Sequence, residues 1–543
     1  MYKTYKPLFL QFLRDKWFMF SLAMTCILAY AFFVFNFAPN VEDLAFGLYY
    51  GENALLISAG RFGTVILDRI LGIYDYRPFT MQFLGIFTLA ISAILWCCLL
   101  KKTSNGSLSR ITYIVFACFY TAAPLMHEAL IYTNQALSIP LCFLLVIIAL
   151  IKIDACEESQ LNVCWVLLCL AAIFSIYESL IVVFVAGLVF YFLIRKVYGT
   201  GHNGLLVWKQ SFLSVKIIAL ALLVQIALNN FFIRQFQPIL PGYYAYTTNY
   251  ILWGRYPIPE VLAAFFHTVS RDYFVASIFY LPIAIFNACL VLAIFLGIYY
   301  TVKTRSWLVG FIFPALIILN FSIPIVIGYS MHYRAMQIIG VFCAIMLTLL
   351  AQIIAENRFK IVRVACFFLI FLLLFHQVND LNKWFFVNHL RYQEDVANFT
   401  RIGNELRDNF PPKPTVFVGW YRYSNRVMEH IAVRSDSWQG QWLINNTNFI
   451  PPERHERRFV IQTSRMLEGT FANWGVFTEG KDFEVLFDRN FFVLEFMDHL
   501  GFEVQEGGRF YERALEYAYY MPRFPYAGYI LETEEFIVVN FGI

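Results

Sequence analysis

The chain has 543 residues, of which 59% are hydrophobic, 19% aromatic and only 14% charged. A soluble domain carries roughly 25% charge, so this composition excludes an ordinary soluble protein. The net charge of +4 is too small to argue for nucleic-acid binding, and no basic low-complexity tract supports it.

The first apolar run, Trp17–Phe37, is long enough to cross a bilayer and has no small-residue cleavage site behind it. It reads as a transmembrane helix and start-transfer signal. Ten more runs follow, at Phe79–Leu100, Ile111–Leu125, Ala136–Ile151, Val163–Ser175, Leu180–Ile194, Ile217–Phe232, Tyr273–Tyr300, Trp307–Ile327, Ala335–Ile354 and Val362–Phe375. The expectation is therefore a polytopic α-helical membrane protein of about eleven spans over residues 1–378.

Basic residues fix the expected orientation. Lys3, Lys6, Arg14 and Lys16 precede the first run, and alternate loops carry Lys101 and Lys102, Lys152, Arg195 with Lys196 and Lys209, Lys303 and Arg305, and Arg358, Lys360 and Arg363. Eleven spans place all of these on one side, which the positive-inside rule makes cytoplasmic. The opposite side carries Arg61, Arg69, Arg77, Arg234, Arg255, Arg271 and Arg334, and no lysine between the spans. Outer loops avoid lysine on topological grounds. Arginine's planar fork also grips phosphate oxygens better than an ammonium does.

The first outer loop, residues 38–76, holds two adjacent acids, Glu42 and Asp43. Neighbours on a helix point about 100° apart, so only one of them faces a given site. Asp43 suits a helix N-cap, and either acid suits a general base for an acceptor hydroxyl. The following segment, "SAGRFGTVILDRILG", has an apolar stripe of Val65, Leu67, Ile70 and Leu71, expected as a helix lying in the membrane interface. Arg61 then either snorkels to headgroups or binds a lipid phosphate. Arg61, Arg69 and Arg334 are the candidate phosphate ligands.

Further polar residues mark the outer ends of spans: His127 and Glu128, Tyr177 and Glu178, and His332 beside Arg334. Ionisable groups are expensive in lipid, so these are expected to line one cavity and contact substrate.

Beyond Val378 the composition turns acidic, and a small α/β domain over residues 379–543 is expected outside the membrane. "RYQEDVANFTRIGNELRDNF" has helical periodicity with Val396, Phe399, Ile402 and Leu406 on one face, "PPKPTVFVGWY" reads as a turn and a short apolar strand, and "FEVLF" and "FIVVNF" are strand-like. All 11 cysteines lie before Phe367, which excludes a disulfide framework in this domain, and none has zinc-ligand spacing with nearby histidines.

No Walker A sequence, GxSxG elbow or HExxH helix occurs. An enzyme acting on the outer face without nucleotide machinery needs a substrate that is already activated. A lipid-linked phosphosugar meets that need: tail in the bilayer, phosphate at the arginines, sugar near the carboxylates.

The first span, acidic pair, "SAGRFGTVILDRIL", "SIYESLIVVFVAG" and "HYRAMQIIGVF" together resemble the glucosyltransferase II family of serotype-converting O-antigen glucosyltransferases, within the GT-C class. Glu178 stands where an amide is expected. The resemblance implies inverting transfer of a hexose, glucose foremost, from a polyprenyl-phosphate donor to a cell-surface glycan at the bacterial cytoplasmic membrane. It implies a catalytic acid in the first outer loop, no metal or other cofactor, and a separate donor synthase and flippase as partners. A transporter of lipid-linked sugars is the alternative, but transporters place polar residues near the midplane of repeated halves, and no repeat is visible. A scaffold would need no such gathering of arginines and acids.

Overall fold

The structure is a computed structural model that describes residues 2–36, 38–39, 56–57, 60–72, 78–123, 125–155, 160–199, 204–236, 251–278, 280–331, 333–419, 424–431, 433–446, 459–460 and 491–542. Two compact units are present. The first comprises the described residues of Met1–Phe35, Ala59–Phe236 and Tyr250–Trp384, and the second those of Asn36–Ser58 and Phe385–Ile543.

Each of the predicted apolar runs contains a helix. Among the described residues, seven helices are long and apolar enough to cross a membrane: Lys16–Phe35, Phe79–Thr103, Glu178–Tyr198, Phe212–Gln235, Leu281–Thr304, Ile338–Glu356 and Lys360–Asn409. Arg110–Thr121, Leu161–Ile176 and Trp307–Leu319 are shorter apolar helices, and Ser138–Asp154 has 17 residues. Large apolar side chains stay exposed on several of these helices, among them Leu223, Phe231, Phe295 and Phe311. In water that would be a liability; against lipid tails it costs nothing, because hydrocarbon is as apolar as the side chains.

Three expectations need correction. Trp307–Ile327 is not one span: the helix stops at Leu319 and a second begins at Ser322, with Asn320 turning its amide back to the Leu316 carbonyl at 2.8 Å. Pro314 and Pro324 each remove a backbone donor, so a continuous helix would be weakened twice. The run from Tyr273 becomes a regular helix only at Leu281, with Pro282 in its first turn. Before it, Ser270–Phe274 forms a π-turn. Third, the Phe62–Leu71 helix buries Phe62, Thr64 and Val65 against the protein, while Ile66, Ile70 and Leu71 are exposed. The stripe read from sequence therefore splits: Val65 packs inward, and Ile70 and Leu71 face out as an interfacial helix requires.

Lysines gather at one end of these helices, in company with Arg195. The helices ending at Thr103, Asp154, Tyr198, Thr304 and Glu356 bring Lys102, Asp154, Arg195, Lys303 and Glu356 to their C-terminal ends. There Lys102 pairs with Asp154, which also accepts from Tyr5 (2.7 Å) and Tyr191 (2.9 Å). Arg195 donates to Tyr191 at 2.8 Å and to Gln210 at 2.9 Å. Lys303 pairs with Glu356 at 2.9 Å, Gln352 donates to the same carboxylate, and Ser109 and Thr112 donate to the Gln352 oxygen. Cations at C-terminal helix ends also meet the negative end of the helix dipole. At the opposite, N-terminal ends, Tyr280 precedes the helix from Leu281 and Tyr177 the turn that leads into the helix ending at Tyr198, while Tyr132 and Arg334 lie a turn ahead of the helices from Ser138 and Ile338.

In the second unit, strand Thr415–Gly419 runs parallel to Ile537–Gly542, which pairs antiparallel with Ile530–Glu532 on its other edge. The predicted strand at "FEVLF" lies outside the described residues. The two predicted helical segments on either side of Val378 are one helix, Lys360–Asn409. Its Phe399, Ile402 and Leu406 are buried as the periodicity requires. Phe399 meets Phe496 at 5.5 Å and Phe541 at 5.7 Å, so the strand residues and the helical face close one aromatic core. Gly403 gives the Phe502 ring its place, since a Cβ there would come within 2.5 Å of it.

Candidate polar site at the arginine end

The structure gathers the predicted site residues into two groups, both in the first unit. Arg61 stands at the N-cap of the Phe62–Leu71 helix, with its guanidinium 4.6 Å from the centre of the Tyr177 ring. Its Nε lies 3.9 Å from the Glu178 carboxylate, the outer limit of an ion pair. Close packing fixes this arrangement. Gly63 sits where any Cβ would collide with Ser175, Phe62 stacks on Phe232 at 4.6 Å, and Gln225 donates to the Gly60 carbonyl at 3.1 Å. Gly60 has φ +80°, a conformation open chiefly to glycine. Arg69 lies in the last turn of the same helix and is exposed.

The second group is built on Arg334. Its guanidinium lies 4.6 Å from the centre of the Tyr132 ring. The neighbouring Tyr333 donates to the backbone carbonyl of Asp272 at 3.1 Å and packs on Tyr280 at 5.5 Å. Tyr280 meets the edge of Trp384 at 5.4 Å, and His127 stacks on Trp384 at 5.4 Å with the rings 15° apart. Glu128 lies 3.7 Å from the His127 imidazole. Gln337 anchors the start of the following helix by donating to the Leu125 carbonyl at 3.0 Å. His127, Glu128 and Arg334 thus meet through a shared aromatic wall of Tyr132, Tyr280, Tyr333 and Trp384.

Sequence reasoning missed the acid in this group. Asp272 is fully buried and receives two bonds from Arg271, at 2.7 and 3.1 Å. Burial lowers the Arg271 guanidinium's hold on its proton, but the bonds to Asp272 outweigh that, leaving it above the ordinary arginine value. The signal was present as an Arg–Asp pair opening an apolar run, and the π-turn that carries it is a feature found often at functional sites. Glu42, Asp43 and His332 lie outside the described residues.

The arrangement can hold an anion. Two guanidinium groups are each set against a tyrosine face; the planar fork of arginine matches oxygen acceptors, and the surrounding rings suit the apolar face of a sugar. A bundle of helices long and apolar enough to cross a membrane defines a membrane-embedded protein. The chain matches the family model described as Glucosyl transferase GtrII over residues 31–345, and it belongs to that family. It is therefore a glucosyltransferase. All the predicted site residues, from Glu42 to Arg334, fall inside the matched stretch, and the α/β sheet falls beyond it. No curated protein matches the chain.

Proposed function

We propose that the protein moves a glucosyl group from a polyprenyl-phosphate donor to a surface glycan, on the outer face of a bacterial cytoplasmic membrane. One observation carries this reading: Arg61 and Arg334 stand with aromatic rings at the helix ends opposite the lysine-bearing ends. By the positive-inside rule the arginine end is the outer one, and a donor there arrives by way of the bilayer. The α/β domain is assigned to the same side.

Transfer proceeds by inversion in this scheme. A carboxylate of the first outer loop, Asp43 or Glu42, takes the proton from the acceptor hydroxyl as its oxygen attacks the anomeric carbon. The bond from that carbon to the phosphate oxygen breaks, and its electron pair leaves with the phosphate. Arg61 and Arg334, with Arg69 nearer the surface, hold the phosphate and stabilise the charge that develops on it. His127, Glu128, Tyr177, Glu178 and His332 contact the sugars, and the scheme requires no metal. A separate synthase and flippase supply the donor.

The test is transfer by the purified protein in vesicles, offered either glucosyl phosphoryl polyprenol or a nucleotide-linked glucose, with an O-antigen-type polysaccharide as acceptor. Product is expected from the lipid donor alone. Product from the nucleotide donor at an equal rate overturns the scheme.

A further inference from the structure

A second site lies at the lysine end. A cavity of about 740 Å³ opens between the N-terminal helix Tyr2–Arg14 and the segment from Lys101 to Tyr113. Lys6, Arg14, Lys101 and Arg110 line it, and Asp15 is the one acid among its lining residues. Asp15 is already committed. It accepts from the Arg110 Nε at 2.8 Å and from a second Arg110 nitrogen, and it caps the next helix through the Phe18 amide at 3.1 Å. The lining residues thus carry four cations against one carboxylate, a net positive charge.

The cavity is built rather than incidental. Tyr5 and Phe12, seven positions apart on one helix face, are buried. Tyr5 is bonded to Asp154, and Phe12 packs on Phe18 at 4.8 Å and Tyr113 at 5.4 Å. The Lys101 ammonium stands 5.5 Å from the centre of the Phe12 ring. On the same helix Leu10 and Leu13 are exposed, followed by Trp17 at the start of the first membrane-length helix. Leu10 also lines the cavity. A cationic cup bordered by outward apolar side chains has the chemistry of one ligand: a phosphodiester headgroup whose acyl chains lie along the helix.

We propose that this cavity binds an anionic phospholipid of the leaflet at the lysine end, the phosphodiester lodging among Arg14, Lys101 and Lys6. The site is separate from the arginine end, and its test does not depend on the glycosyl donor.

The experiment is native mass spectrometry of the full-length protein, titrated with phosphatidylglycerol, phosphatidylcholine or inorganic phosphate. The wild type is expected to retain phosphatidylglycerol in preference to phosphatidylcholine. The double variant Arg14→Gln with Lys101→Gln is expected to bind it about five-fold more weakly per cation removed. The charge-keeping pair Arg14→Lys with Lys101→Arg should bind as the wild type does, which separates loss of charge from loss of fold. Glucosyl transfer in detergent should be unchanged in both. Equal retention of the two lipids overturns the proposal, as does undiminished binding by the glutamine pair. Capture of inorganic phosphate with no preference for the lipid overturns it too, because the cavity would then serve a soluble anion.

Discussion

Arg334 stands 4.6 Å above the Tyr132 ring, and Arg61 stands at the same distance above Tyr177. Each tyrosine belongs to a turn immediately before a bundle helix. Two guanidinium planes are thereby oriented by rings that the helix starts hold in place. Removing the ring while leaving the arginine tests this directly. Tyr132→Leu should raise the donor KM several-fold, since a cation–π contact is worth about 0.5–2 kcal/mol. Tyr132→Phe should be close to wild type. An equal loss in both would show that the hydroxyl, not the ring face, is what matters.

The arginines themselves are expected to be more sensitive than their charge suggests. Arg61→Lys and Arg334→Lys should each reduce kcat/KM although the charge remains, because the bidentate fork is lost. Alanine at either position should cost more, on the order of 1.5–3 kcal/mol, or roughly ten- to a hundred-fold. Normal donor saturation in both alanine variants would leave these side chains as headgroup anchors.

Asp43→Asn keeps a side-chain oxygen able to cap a helix but cannot accept the proton. Transfer should fall by about 10²–10⁴-fold with melting temperature unchanged, and Glu42→Gln is the parallel variant. Full activity in both would move the base elsewhere.

For Asp272 the expected readout is stability. Truncating Asp272 to Ala leaves Arg271 half-buried without the carboxylate that bonds it, a change that costs about 3–5 kcal/mol when a buried pair is broken. Thermal unfolding in detergent should shift down markedly. An unchanged melting temperature, with transfer lost, would instead make Asp272 a participant in the reaction.

The Asp15 carboxyl is held below its ordinary value, first of all by its bond from Arg110. A depressed folded value means the stabilisation is present above the unfolded value, about 4, and is lost as pH falls below it. Arg110→Gln should therefore lower the melting temperature at pH 7, and by less near pH 3, where the carboxyl begins to protonate. A deficit that is the same at both pH values would exclude the ion pair as its cause.

Much of this was legible in the sequence for simple reasons. The membrane-length helices announce themselves by hydropathy, and the buried face of Phe399, Ile402 and Leu406 by its period. The confinement of lysine to one side of the spans was visible because topology imposes it on composition. The pairings were not visible. Nothing local links Arg334 to Tyr132 or His127 to Trp384, whose contacts depend on how helices distant in the chain cross. Pro314 and Pro324 were legible as breaks but were outweighed by the apolar run around them. Asp272 was overlooked because an acid beside an arginine at a helix start resembles a solvated end, and only packing reveals that it is sealed inside.

The convergence of Tyr5 and Lys102 on Asp154 has a consequence for biogenesis. Tyr5 and Asp154 are 149 residues apart. At about 5–20 residues per second, the ribosome needs on the order of ten to thirty seconds to make the second after the first. Throughout that interval the N-terminal helix has emerged without the carboxylate that will tether it. Its amphipathic surface has only the bilayer to rest on, so it enters the membrane interface first and is recruited to the bundle later. The bond between Tyr5 and Asp154 therefore closes only after the segment that carries the acid has been made.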